Sequence, residues 1–180
     1  MPSNRLPFDT PGLESEFSRI EVRRSSRRKK TISAEIIGDA LVVSIPARLS
    51  RAEEQEWVTK MALRMSERKK RDRLNTDGAL ARRARELSNL YLGGISVDHI
   101  EWIETQKSRW GYCSPAESQI RLSLVLADYP NWVRDYVIVH ELAHLEVADH
   151  SDEFWELVNR YPLTERARGF LIAKGMEEGG

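Results

Sequence analysis

The pattern of apolar and polar positions divides the chain into a strand-rich beginning and a largely helical remainder. Residues 17–22, 31–37 and 41–45 have strand lengths and strand composition, and predict a small meander with Gly38-Asp39 turning between the last two. Ser50 stands before a helical pattern, and Glu53 three positions on completes a capping box; that helix is expected to run to about residue 70. After Asp77-Gly78 a second helix is predicted over 79–92, stopped by Gly93-Gly94. Residues 95–105 and 119–124 read as further strands. The stretch 132–145 lacks Pro and Gly, and Tyr136, Val137, Val139, Leu142 and Ala143 give it the broad apolar cover of a helix largely inside a protein. Ser151 caps another helix that Pro162 ends, and Thr164 caps a last one to about residue 174. Residues 1–16 have Pro, Gly and Ser without periodicity and predict a flexible tail, so that 17–176 would form a single α+β domain.

Composition narrows this. With 180 residues, 41% of them hydrophobic, the chain can bury one respectable core. The single cysteine, Cys113, excludes an intramolecular disulfide framework and suits a reducing compartment. No leading signal-like segment and no run of about 18 apolar residues is present, which points to a cytoplasmic chain with no membrane association. The formal charge is zero, yet residues 1–90 carry 20 Lys/Arg against 13 Asp/Glu and residues 91–180 carry 8 against 15, so the halves are +7 and −7. The run Arg23-Arg24-Ser25-Ser26-Arg27-Arg28-Lys29-Lys30 has two readings, a phosphate-contacting strip or a solvated hairpin. An acidic protein partner fits it equally. A second cluster, residues 68–73, reads as the solvated end of the first helix.

Candidate chemistry is concentrated elsewhere. Three of the four histidines fall between 140 and 150, in His140-Glu141-Leu142-Ala143-His144 and then His150. Histidines four apart on a helix lie one turn apart on one face, so both imidazoles can reach one metal ion. His150 supplies a third nitrogen and leaves a fourth position open for water or a substrate carbonyl. The glutamate beside the first ligand can take the proton of a metal-activated water. Imidazole ligands and an open tetrahedral site favour Zn2+. Glu146 or Asp149 are alternative third ligands, Asp149 or Asp152 can orient a ligand histidine, and Cys113 is either a ligand or a small buried thiol. His99, in a predicted strand, reads as a surface residue. Trp110, Phe154 and Trp155 read as packing, and Gly111 as a tight turn or a close approach of chains.

Four segments carry a resemblance: Lys107-Ser108-Arg109-Trp110-Gly111-Tyr112-Cys113-Ser114, Ile120-Arg121-Leu122-Ser123, Tyr136 through His144, and His150-Ser151-Asp152-Glu153-Phe154-Trp155. Together they resemble the YgjP-like metallopeptidases, a group similar to the SprT and WLM zinc peptidases. The likeness is distinctive over 107–155 and looser before it. It implies a zincin-like fold in which a small sheet packs against helices, with N-terminal strands and helices to about 94 and a metal-binding part from about 95 to 176. It also implies zinc on His140, His144 and His150, Glu141 as general base, and a peptide or protein substrate. The chain departs from the family pattern at Tyr112, where Ser is usual, and at Ser123, where Asn is usual. The histidine spacing also equals that of the metzincins, but Val147 replaces their glycine, and valine resists the left-handed turn which that glycine allows. His150 must then arrive either after a helix prolonged past Val147 or from a short loop before the Ser151-capped helix.

The oxyanion of an attacked carbonyl needs a donor. Arg109 is the first candidate, ahead of Tyr112 and Tyr136, although each has a structural reading as an ion-pair or packing residue. Two other functions fit the same residues. One is a zinc-stabilised module binding nucleic acid or an acidic partner through the basic half, which would have no need of Glu141. The other is a metal-dependent amidohydrolase acting on a non-peptide amide.

Overall fold

A computed structural model of the chain describes residues 16–104 and 109–175. The expected tail 1–16 lies outside the described residues except for Glu16, as do Thr105, Lys107 and Ser108. The fold is α+β. The chain divides into two compact units, residues 1–70 and 71–180, and the division falls inside a long helix.

The first unit is built on β1 (Arg19–Ser25), β2 (Ser33–Ile37) and β3 (Ala40–Pro46), followed by α1 (Arg51–Thr76). The strands are not a meander. β3 is central, antiparallel to β2 and parallel to β1, because its sequence ALVVSIP is the only one of the three buried along nearly its whole length. Gly38, at φ +65°, opens the two-residue turn that joins β2 to β3. Ile20, Leu41, Val43 and Ile45 form one core with Val58 and Ala62 of α1. The capping box is present: the Glu53 amide donates to Ser50 Oγ at 3.3 Å, and the Ser50 amide donates to Glu53 Oε2 at 2.8 Å. Within the basic run, Arg24 is engaged internally, pairing with Glu54 and donating to the carbonyls of Ala47 and Leu49.

In the second unit β4 (His99–Ile103), β5 (Gly111–Ser114) and β6 (Gln119–Ser123) take the order β4-β6-β5. β4 is parallel to β6 and β5 antiparallel to it, the same connectivity as in the first sheet. The helices are α2 (Ala79–Tyr91), α3 (Asn131–Ala143), α4 (Asp152–Val158) and α5 (Thr164–Ala173), with single 3-10 turns after β5 and β6. The last turns of α1 belong to this unit. They extend past the expected end at 70 because Asn75 exchanges two hydrogen bonds with the backbone of Trp102 in β4, at 2.8 and 3.0 Å. Thr164 is the first helical residue of α5, and its hydroxyl donates back to the carbonyls of Val158 and Tyr161.

α3 runs through the core, with every residue from Asp135 to Ala143 buried. A buried carboxylate on such a helix needs a partner. Asp135 has one in Arg83 of α2, whose Nε and Nη2 donate to the two carboxylate oxygens at 2.9 and 2.7 Å. The bidentate geometry ties α2 to α3 and fixes the roll of α3. Among the described residues no helix is long and apolar enough to cross a membrane. Asp135→Ala is expected to lower stability by about 2–3 kcal/mol, the loss of charge-assisted hydrogen bonds with one partner still half exposed, as measured by thermal or urea unfolding.

Candidate metal centre

His140 and Glu141 sit in the last full turn of α3, and His144 is its C-terminal cap residue. The helix then tightens. The amides of Leu145 and Glu146 bond to the carbonyls three residues back, and the Val147 amide to that of Ala143. The chain leaves in a short loop, and His150 enters from it just before Ser151 and α4. Of the two expected routes, the short loop is the one taken. Ser118 is the sole described non-glycine residue with positive φ, so Val147 reaches this turn without the left-handed conformation that valine resists.

The three side chains converge. His140 Nε2 lies 3.2 Å from His144 Nε2 and 3.2 Å from His150 Nε2. Two nitrogens each about 2.0–2.1 Å from a tetrahedral zinc sit roughly 3.3–3.4 Å apart, so the observed spacing is close to that of a ligand set. The His144 Nδ1 atom is 3.1 Å from the Val147 carbonyl; donation there leaves Nε2 as the unprotonated nitrogen facing its neighbours. Burial, aided by the neighbouring His144, His150 and Arg168, pushes His140 down to about 3, and burial also lowers His144. His140 is thus neutral at ordinary pH and its ring nitrogens compete poorly for protons. This donor set fits a divalent cation.

Among the described residues, His140, His144 and His150 are the one group with metal-ligand geometry. Glu146 and Asp149 do not join it. Asp149 is exposed and accepts the Ser151 amide at 3.3 Å, so the Val147 carbonyl, not an aspartate, orients His144. Cys113 is half-buried beside the cleft, its thiol pushed up to about 12 by burial and by the Glu141 charge, and stays protonated. His99 is exposed on β4, 3.7 Å from Glu101.

A cleft of about 490 Å3 opens over the three histidines. One wall is α3, which presents Tyr136, Val137, His140, Glu141 and His144; the facing wall is Arg109 and β5. Glu141 is 6% exposed, and its burial raises the carboxyl to about 8, against the opposing pull of Arg109. Its position depends on Gly111. A Cβ at residue 111 would fall 2.3 Å from Glu141 Oε1 and 2.8 Å from its carboxyl carbon, so the close approach of chains is the correct reading of this glycine. Tyr112 lies at the cleft rim, 43% exposed, whereas Ser123 is buried with its hydroxyl unpartnered among the described residues. Sequence reasoning missed β5 and the ring contacts of Phe154, which touch all three histidines.

Gly111→Ala is expected to destabilise the fold by about 1–3 kcal/mol through overpacking. A crystal structure of the variant should show the Glu141 carboxylate displaced; an unmoved carboxylate would contradict the contact.

The model of the YgjP-like metallopeptidase domain matches residues 79–171, from the first residue of α2 into α5. Among solved structures, the chain is similar to the metallopeptidase zymogen abylysin of Pyrococcus abyssi. The two share 20% identity over 56% of this chain and 99% of that chain, with a TM-score of 0.49. No curated protein matches. With the family model covering more than half of its length, and the three-histidine cluster within that span, this chain belongs to the YgjP-like metallopeptidase family.

Proposed function

We propose that the chain hydrolyses peptide bonds with a zinc ion held by the Nε2 atoms of His140, His144 and His150, and with Glu141 as general base. The observation that carries this reading is the convergence of three imidazole nitrogens in the cleft that also holds the buried Glu141 carboxylate. When bound, the ion would supply Lewis acidity, polarising the scissile carbonyl and lowering the pKa of water.

The residues of the chain do the rest. Burial, outweighing the opposing pull of Arg109, gives Glu141 a raised proton affinity, so it can accept a proton from water and return it to the leaving amine. Nearby positive charge, from Arg109 and from a bound ion, would hold it ionised at the start of the cycle. Among the described residues Arg109 is the cation lining the cleft, and we assign it to the developing oxyanion. β5 is an edge strand, and an extended peptide can add to such an edge through main-chain hydrogen bonds. Tyr136 and Val137 line the cleft one turn before His140 and Glu141, so a substrate side chain reaching them meets an apolar wall. These features, with the family assignment, favour a peptide over a small non-peptide amide.

Glu141→Gln is expected to keep its zinc and lose about 10²–10⁴-fold in kcat on a diverse peptide library read by mass spectrometry. Undiminished turnover would remove Glu141 from the chemistry. Arg109→Met is expected to lower kcat by roughly 10²-fold with metal content unchanged. A rise in KM alone would make Arg109 a substrate-binding residue instead.

A further inference from the structure

Metal-binding histidines are ordinarily oriented by a hydrogen bond from the second ring nitrogen. In this cluster, among the described residues, only His144 has one, to the Val147 carbonyl. His140 Nδ1 is buried without a partner, and among the described residues His150 is hydrogen-bonded through Nε2 alone. Something else must hold those two rings, because an imidazole free to rotate about χ2 would lose the geometry that the ion requires.

The neighbouring aromatic side chains of α4 meet that need. Phe154 is fully buried, and its ring centroid lies 4.9, 4.3 and 4.7 Å from those of His140, His144 and His150. It stacks on His144 at 25° and meets the other two edge-on, at 78° and 81°. One benzene ring thus touches all three imidazoles. Trp155 lies nearly parallel to His150, at 28° and 5.8 Å, and meets His140 at 69°. Trp155 is itself restrained by Arg168 of α5, whose guanidinium carbon sits 4.6 Å from the indole centroid.

We propose that Phe154 and Trp155 are positioning residues for the metal, holding His140 and His150 in ligand geometry by ring packing where hydrogen bonds are lacking. This rests on the metal reading above. It assigns to α4 a role beyond filling the core, and it makes the immediate sequence His150-Ser151-Asp152-Glu153-Phe154-Trp155 one device, ligand and support together.

The test uses the full chain, stripped of metal and titrated with Zn2+ against a competing chelator, and with Co2+ to read ligand geometry from visible absorption. Trp155→Leu should bind Zn2+ about 10–100-fold more weakly than the parent, with an altered Co2+ spectrum. Its metal-free form should unfold at nearly the parent temperature. Trp155→Phe, which keeps an aromatic face, should recover most of the affinity. Phe154→Leu should show the larger loss, but it is buried in the core, so the half-buried Trp155 decides the matter. Zn2+ affinity for Trp155→Leu within about threefold of the parent, with the same Co2+ spectrum, would overturn the proposal alone. So would a loss of affinity matched by a drop in metal-free stability. A parent chain that binds neither ion would overturn the metal reading itself, and this proposal with it.

Discussion

Three imidazole nitrogens crowd one point at the edge of the core, two of their contacts at 3.2 Å, and burial keeps His140 from taking up a second proton. The arrangement has the geometry of a ligand set that could hold one metal ion. Much of the second unit works to maintain it. Arg83 fixes α3 through Asp135, the tightened C-terminal turn swings His144 round to the Val147 carbonyl, and the following loop delivers His150. Glycine at 111 then lets β5 close over Glu141. Each constraint acts on a different element, and they meet in one cleft.

Glu141 illustrates how burial serves chemistry here. A carboxylate in open water would be a weak base, ionised and solvated. Packed beneath β5, it has a raised affinity for protons, yet it remains within the influence of Arg109 and of any ion on the histidines. The same close packing leaves little room for error. A single methyl group at 111 would occupy the space of the carboxylate itself.

Much of this was legible in the sequence because it is local. The Ser50–Glu53 box, the Gly38-Asp39 turn, the helix bearing His140 and His144, and the Ser151 start of α4 follow from spacings of a few residues. The absence of the glycine expected of a metzincin correctly pointed to another path for His150. What was not legible is nonlocal. Gly111–Ser114 is only four residues without clear alternation, and it becomes a strand by pairing with β6. The central place of β3 depends on a parallel partner that no turn signal announces. α1 passes through the charged segment 68–73, which has no apolar period, and is extended by the Asn75 bonds to β4. Phe154 and Trp155 are aromatic residues like any other until the rings they touch are known.

The hydrolytic role proposed for this cleft requires that the three histidines bind one ion. Diffraction data collected on both sides of the zinc absorption edge, from crystals of protein purified without added metal or chelator, test this most directly. The expected result is one anomalous peak per chain, about 2.0–2.1 Å from Nε2 of His140, His144 and His150. No peak there even after soaking in zinc, or an ion bound by other residues, would contradict it and leave the cluster to be explained as packing alone.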